Sequence, residues 1–200
     1  MYALVEDGNI TKFFAHPKGF VLNDNQYPAD VFTKWSNEER EAIGIYEVIT
    51  DSTNKKDEQY YINTNEQFTF ADGQVTRSWG TATAKELEDR NATDENGVEL
   101  DPVVVIKGLK SQKKDIIKQQ ASGLLEQTDW YNHKALDDDT YTIPDNIKTY
   151  RANVRAKSNE METQIDACTT VDELKALYQY TEQEDGSFTR PLAEFPTLEI

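Results

Sequence analysis

The chain has 200 residues, 37% of them hydrophobic and 29% charged, with a formal charge of -16 and a mean hydropathy of -0.76. That charge argues against a nucleic-acid clamp, because phosphate binding is dominated by Lys and Arg contacts, and against docking on anionic membranes. Ten Tyr, eight Phe and three Trp are too many for a disordered chain, so a modest core or two small cores are expected.

Taken in order, Tyr2 to Phe14 reads as a β-hairpin, because Asp7-Gly8 supplies the positive φ that a two-residue type I′ turn needs. The opening residues carry no basic region and no long apolar core, so they are not expected to act as a signal peptide. A loop from Pro17 leads through Tyr27-Pro28 and an irregular approach to Val31, Phe32 and Trp35. Ser36 and Glu39 form a capping-box pattern for a short helix, which Gly44 is suited to end. Ile45 to Ile49 follows as a strand. Tyr60 to Ile62, Gln67 to Phe70 and Gln74 to Thr81 alternate as strands, with Asp72-Gly73 as a second hairpin turn.

Thr83 to Asp101 is rich in acids, Asn and Thr, and is expected to be a linker or a frayed helix. Pro102-Val103-Val104-Val105-Ile106 reads as a short strand, returning to the β unit or rimming the helical part. Lys107, Lys110, Lys113, Lys114 and Lys118 form a basic run, which is expected to be a solvated face.

From Lys110 to Ala156 the period changes. Ile117, Ala121, Leu124 and Leu125 mark one amphipathic helix face, and Ile147, Tyr150, Val154, Met161 and Ile165 mark a second. A loop from Tyr131 to Ile143 lets the second helix fold back, giving a helical hairpin with Trp130 and Tyr131 at its elbow. Cys168 continues the second stripe and reads as a small core residue; as the lone cysteine it permits no intrachain disulfide. Thr170 and Glu173 form another capping box, for a short helix with Val171, Leu174, Leu177 and Tyr178 as its apolar stripe. The tail from Gln183 to Ile200 is expected to be extended.

The expected fold is therefore α+β. A small antiparallel β-rich N-terminal unit (residues 1–82) precedes a polar linker with a short strand (83–106), a helical hairpin with one further short helix (107–182) and the tail (183–200).

The sequence holds no convergent chemistry. His16 and His133 lie in unlike surroundings without triad or metal spacing. Asp137-Asp138-Asp139 lacks the alternating ligands, central Gly and late Glu of a calcium loop. Neither dinucleotide, Walker nor nucleophile-elbow motifs occur. The expectation is a protein with no catalytic residues, no metal and no cofactor. No apolar run approaches the ~20 residues that span a bilayer, and the chain is expected to stay in a cytoplasm.

Physical roles can be assigned around the elbow. Thr128 or Asp129 can satisfy free backbone donors where the chain turns. Trp130 either locks the hairpin or anchors a partner, with locking favoured because an aromatic at a helix junction is more often core. Tyr150 faces inward with Val154. Arg151 and Arg155, four residues apart, pair with Glu126 or Asp129, or grip acids on a partner.

Leu124-Leu125, Thr128-Asp129-Trp130, Pro144, Tyr150-Arg151 and Val154-Arg155 together resemble the C-terminal module of tailed-phage tail assembly chaperones and tail fibre assembly proteins. Phe195-Pro196-Thr197 resembles the ending of these proteins, and residues 1–50 are similar to the opening of small phage tail proteins. Val154 stands where that family prefers Leu, and Ile147 where Trp is frequent. The resemblance implies stoichiometric binding without catalysis, through Leu124, Leu125, Thr128, Asp129, Trp130, Tyr131, Tyr150, Arg151, Val154 and Arg155. The implied partner is a phage tail or tail-fibre structural protein, met in the host cytoplasm during assembly; a homo-oligomer is left open. The alternative is a permanent structural adaptor in the virion tail.

Overall fold

In the computed structural model, which describes residues 1–198, two Asp-Gly pairs turn the N-terminal chain. Asp7 and Gly8 take φ values of 50° and 78°, and Asp72 and Gly73 take 52° and 74°, as type I′ turns require. The fold is α+β. It divides into two units, Met1–Thr83 and a second that begins at Ala84, each with its own apolar core.

The first unit is built on a curled five-stranded sheet. Its strands are β1 (Tyr2–Glu6), β2 (Asn9–Phe14), β5 (Ile45–Thr50), β7 (Gln67–Ala71) and β8 (Gln74–Ser78), in the order β2-β1-β5-β8-β7. Between β2 and β5 lie a small ladder of β3 (Phe20–Leu22) and β4 (Asn25–Tyr27), then α1 (Val31–Lys34) and α2 (Asn37–Glu41). Three of the four pairs of the sheet are antiparallel, so the unit is mostly antiparallel as expected; the pair β5–β8 is parallel. The sequence of two local hairpins does not say how they are joined, and here β8 rather than β7 meets β5. The Tyr60–Ile62 segment shrinks to a two-residue strand, β6 (Tyr61–Ile62).

Period-2 alternation explains the two layers of this core. Ala3 and Val5 pack with Val75 on one face of the sheet. Leu4 points the other way and joins Phe14, Phe20, Val31, Phe32 and Ile45. Strand β1 is therefore buried on both faces, as its unbroken Ala3-Leu4-Val5 run suits. Phe13 and Phe68, on the sheet's two edge strands, bring their ring centroids to 4.6 Å.

The Ser36–Glu39 capping box forms with both of its reciprocal bonds. Gly44 follows at φ 77° and gives its carbonyl to the Val5 N–H at 2.8 Å. A Cβ there would stand 2.6 Å from the Val5 carbonyl oxygen, so both conformation and space demand glycine.

At the boundary a two-residue strand, β9 (Thr83–Ala84), begins the acidic segment. That segment is neither linker nor helix. Strand β10 (Arg90–Asn91) pairs antiparallel with β11 (Val105–Ile106), and residues 86–89 cap the long helix that follows. This helix, α3 (Leu109–Glu126), opens on Gly108, whose missing side chain leaves the first-turn donors without a cap. Glu86 and Leu87 supply carbonyls to the N–H groups of Leu109 and Lys110. The Asp89 carboxylate takes the Gly108 N–H at 2.8 Å and the Ser111 hydroxyl at 2.9 Å; these bonds hold its pKa below the ordinary carboxylate range. A Cβ on Gly108 would collide with the backbone at Leu87 and Glu88.

Helix α5 (Asp145–Ala167) runs back along α3. Ile147, Tyr150, Val154, Met161 and Ile165 are all buried, as the stripe predicts. Helix α6 (Val171–Leu177) carries the second complete capping box. Cys168 is buried between α5 and α6. The tail departs from a simple extended chain, since β12 (Thr181–Glu182) pairs with β13 (Phe188–Thr189) before residues 190–198 return to the helices. The last two residues of the expected tail, 199 and 200, lie outside the described residues.

The basic run is also not a plain solvated face. Lys110 is 9% exposed and reaches Glu88 at 2.6 Å and the Asp166 carbonyl at 3.1 Å. Lys114 meets Asp166 at 2.7 Å and Lys118 meets Glu162 at 3.4 Å. Lys107 pairs with Asp115, and the ammonium of Lys113 lies over the Tyr178 ring. Lys114 and Lys118 tie α3 to α5 because α5 presents Asp166 and Glu162 along the facing edge, and Lys110 ties it to the capping segment through Glu88.

Candidate functional site

The elbow is where α3 ends, and its geometry follows from one side chain. Gln127 caps α3 and Thr128 turns the chain directly into a further helix, α4 (Asp129–Asp137). The expected loop of Tyr131 to Ile143 is thus helical over most of its length. The absence of a buried face hid it: α4 buries no residue, and its apolar residues Trp130, Tyr131, Ala135 and Leu136 do not continue the stripe of either neighbour. Beyond it, Asp138 makes a tight turn by accepting the Thr140 N–H and hydroxyl.

Arg151, on α5, is the lock. One guanidinium nitrogen, Nη1, donates to the Leu125 carbonyl at 2.8 Å and to the Thr128 hydroxyl oxygen at 2.6 Å. The other, Nη2, lies 2.8 Å from Asp129 Oδ1. Of the two acids considered for it, Asp129 rather than Glu126 is the partner. Thr128 is fully buried and donates its hydroxyl to the Leu125 carbonyl at 3.0 Å. Its role is the reverse of the expected one, since it satisfies an acceptor left open at the helix end and not a donor. Tyr150 and Val154 are buried with Ala121, and Leu124 and Leu125 pack against them.

Two of the predicted residues face outward. Trp130, expected to lock the elbow, is 52% exposed, and its ring lies against that of the adjacent Tyr131, with centroids 3.8 Å apart. Arg155 is exposed, and its guanidinium returns to the Arg151 carbonyl at 3.2 Å. Leu136, on the same short helix, is 79% exposed. The elbow therefore presents an aromatic, an aliphatic and a cation around a rigidly pinned backbone.

Sequence reasoning missed one contributor. Phe195 and Leu198 pack on the Ala121, Tyr150 and Val154 cluster, so the tail closes the hairpin's apolar seam. The Phe195-Pro196-Thr197 resemblance marks the place, but a spacing of three residues around Pro196 is too short to show where the segment packs.

Chemically the site can hold surfaces together. Among the described residues, no group of three or more His, Cys, Asp or Glu converges as a metal centre would. A recess of about 420 Å³ lies beside Cys168, lined by Gln164, Ala167, Glu173, Leu177 and Pro191. Burial, and then the Glu173 charge, push the Cys168 thiol pKa up, the opposite of activation. No described helix is long and apolar enough to cross a membrane. No family profile, curated protein or solved structure matches the chain.

Proposed function

We propose that the protein is a phage tail or tail-fibre assembly factor that binds a structural subunit stoichiometrically and without catalysis. The supporting observation is the way the residues carrying the family resemblance divide. Leu124, Leu125, Thr128, Tyr150, Arg151 and Val154 pack or bond to one another, while Trp130 and Arg155 are left outward on a fixed backbone. A large aromatic held rigid and exposed loses little entropy on docking, and Trp and Arg are favoured as binding anchors. Such a surface would cover an apolar patch of the subunit in the host cytoplasm until assembly replaces it.

The test is quantitative mass spectrometry of purified particles, paired with affinity capture from infected cells. An assembly factor is absent from particles and captures a tail or fibre subunit; Trp130→Ala weakens that capture while leaving the fold unchanged. A fixed copy number in particles identifies instead a permanent tail adaptor, and capture of no virion protein overturns both.

A further inference from the structure

The tail of the second unit is held in two different ways. From Arg190 to Glu194 it is gripped through its backbone. Gln164, on α5, uses both ends of its amide: Nε2 donates to the Pro191 carbonyl and Oε1 accepts the Ala193 N–H, each at 2.9 Å. Between them the Leu192 N–H donates to the Leu177 carbonyl at 3.0 Å, and the Leu192 side chain is buried. The Glu194 carboxylate accepts the Tyr180 hydroxyl at 3.2 Å and lies 3.4 Å from Arg190 Nε. From Phe195 onward this grip ends. Among the described residues, none forms a hydrogen bond or an ion pair with residues 195–198. Pro196 has no N–H to offer. Phe195 and Leu198 are each only half-buried where they lie on Ala121, Tyr150 and Val154.

A stretch held by two half-buried side chains opens at a small fraction of the free energy that unfolds the whole unit, while Leu192 and the Gln164 clamp remain as its pivot. We propose that residues 195–198 are a releasable flap. The seam beneath takes, in their place, an extended partner segment bearing two bulky apolar side chains three residues apart. The tail itself shows the chemistry that fits, since Phe195 and Leu198 have that spacing and need no polar contact to sit there. The residues the flap covers include Tyr150 and Val154, with Leu124 and Leu125 beside them, which are among those that carry the family resemblance.

A tethered flap competes at an effective concentration on the order of millimolar, so a free segment displaces it poorly. A subunit that also docks on the outward Trp130 is held beside the seam and competes on equal terms, which makes opening depend on the partner. The source of the segment, a tail or fibre subunit, rests on the assembly-factor reading; the flap rests on the packing alone.

NMR titration of the isotope-labelled full chain with a synthetic peptide of residues 190–198 tests the flap. The double variant Phe195→Ser, Leu198→Ser removes both of its anchors. In that variant the peptide should shift the amide signals of Ala121, Leu124, Tyr150 and Val154 at a concentration roughly tenfold or more below that needed in wild type, because no tethered competitor remains. Unshifted signals from the buried Ile165 and Leu174 show that the variant is folded; Phe195→Ala alone, a milder change, should give an intermediate gain. A peptide with Ser in place of its Phe and Leu should shift neither protein. Equal binding by variant and wild type, or binding of the anchorless peptide, overturns the proposal. So does a wild-type dimer in sedimentation velocity that the double variant abolishes, since the seam would then be covered by a second copy. Affinity capture from infected cells separates this from the assembly-factor reading: the double variant should retain several-fold more of a tail or fibre subunit than wild type. A gain in peptide affinity with no virion protein captured supports the flap and overturns that reading. Equal capture of the subunit by both proteins overturns the seam as its site.

Discussion

Arg151 joins three acceptors that lie on two helices and the turn between them. The Leu125 carbonyl, the Thr128 hydroxyl and the Asp129 carboxylate sit within 2.6–2.8 Å of its guanidinium. Their different directions suit a planar fork and not a point charge. Arg151→Ala removes the donor to the buried Thr128 hydroxyl oxygen and the ion pair with Asp129, while the Leu125 carbonyl keeps the Thr128 N–H and hydroxyl, at a cost of about 1–3 kcal/mol. Arg151→Lys recovers only part of this, because one ammonium cannot span all three. Asp129→Ala costs less, about 1 kcal/mol or under, since its carboxylate is 46% exposed and partly screened. Urea unfolding at constant m-value measures all three; a Lys variant as stable as the parent would show that charge alone holds the elbow.

At the scale of elements, stripes and caps were readable where an element buries one face or carries its own cap. The 3.6-residue stripe of α5, the capping boxes of α2 and α6, and both Asp-Gly turns lie in single local stretches, and each appears as read. What could not be read is carried by distant partners. The elbow residues were identifiable, but not that Trp130 stays out while Arg151 locks, because the lock depends on the meeting of residues 26 apart. Helix α4 has no buried face to leave a period, and the start of α3 takes its cap from residues 86–89 instead of its own N-cap. That borrowed cap yields a prediction. Gly108→Ala relieves no positive φ, yet its Cβ meets rigid backbone at Leu87 and Glu88, so the capping segment must move off the helix. The expected cost is about 1–3 kcal/mol, typical of overpacking, with loss of hydrogen-exchange protection at Leu109 and Lys110. Gly123→Ala, on the open side of the same helix, should be stabilising by up to about 1 kcal/mol, which separates a steric effect from a general intolerance of α3.

Across the whole molecule, the buried residues form separate cores, and this determines how far a local defect spreads. Ile45 is fully buried among Leu4, Phe14, Phe20, Val31 and Phe32. Ile165 is fully buried on the α5 stripe of the other unit. Either residue cut to Ala leaves a cavity that costs about 2–5 kcal/mol, a large fraction of a small core's stability. If each core is its own cooperative unit, Ile45→Ala should lower amide protection throughout β1, β5 and β8 and leave α3 and α5 as they were. Ile165→Ala should do the converse. Hydrogen exchange resolved by residue reads both outcomes in one experiment. Loss of protection spread evenly over the chain by either variant would mean that the two cores unfold as one, and the division into units would then describe packing but not stability.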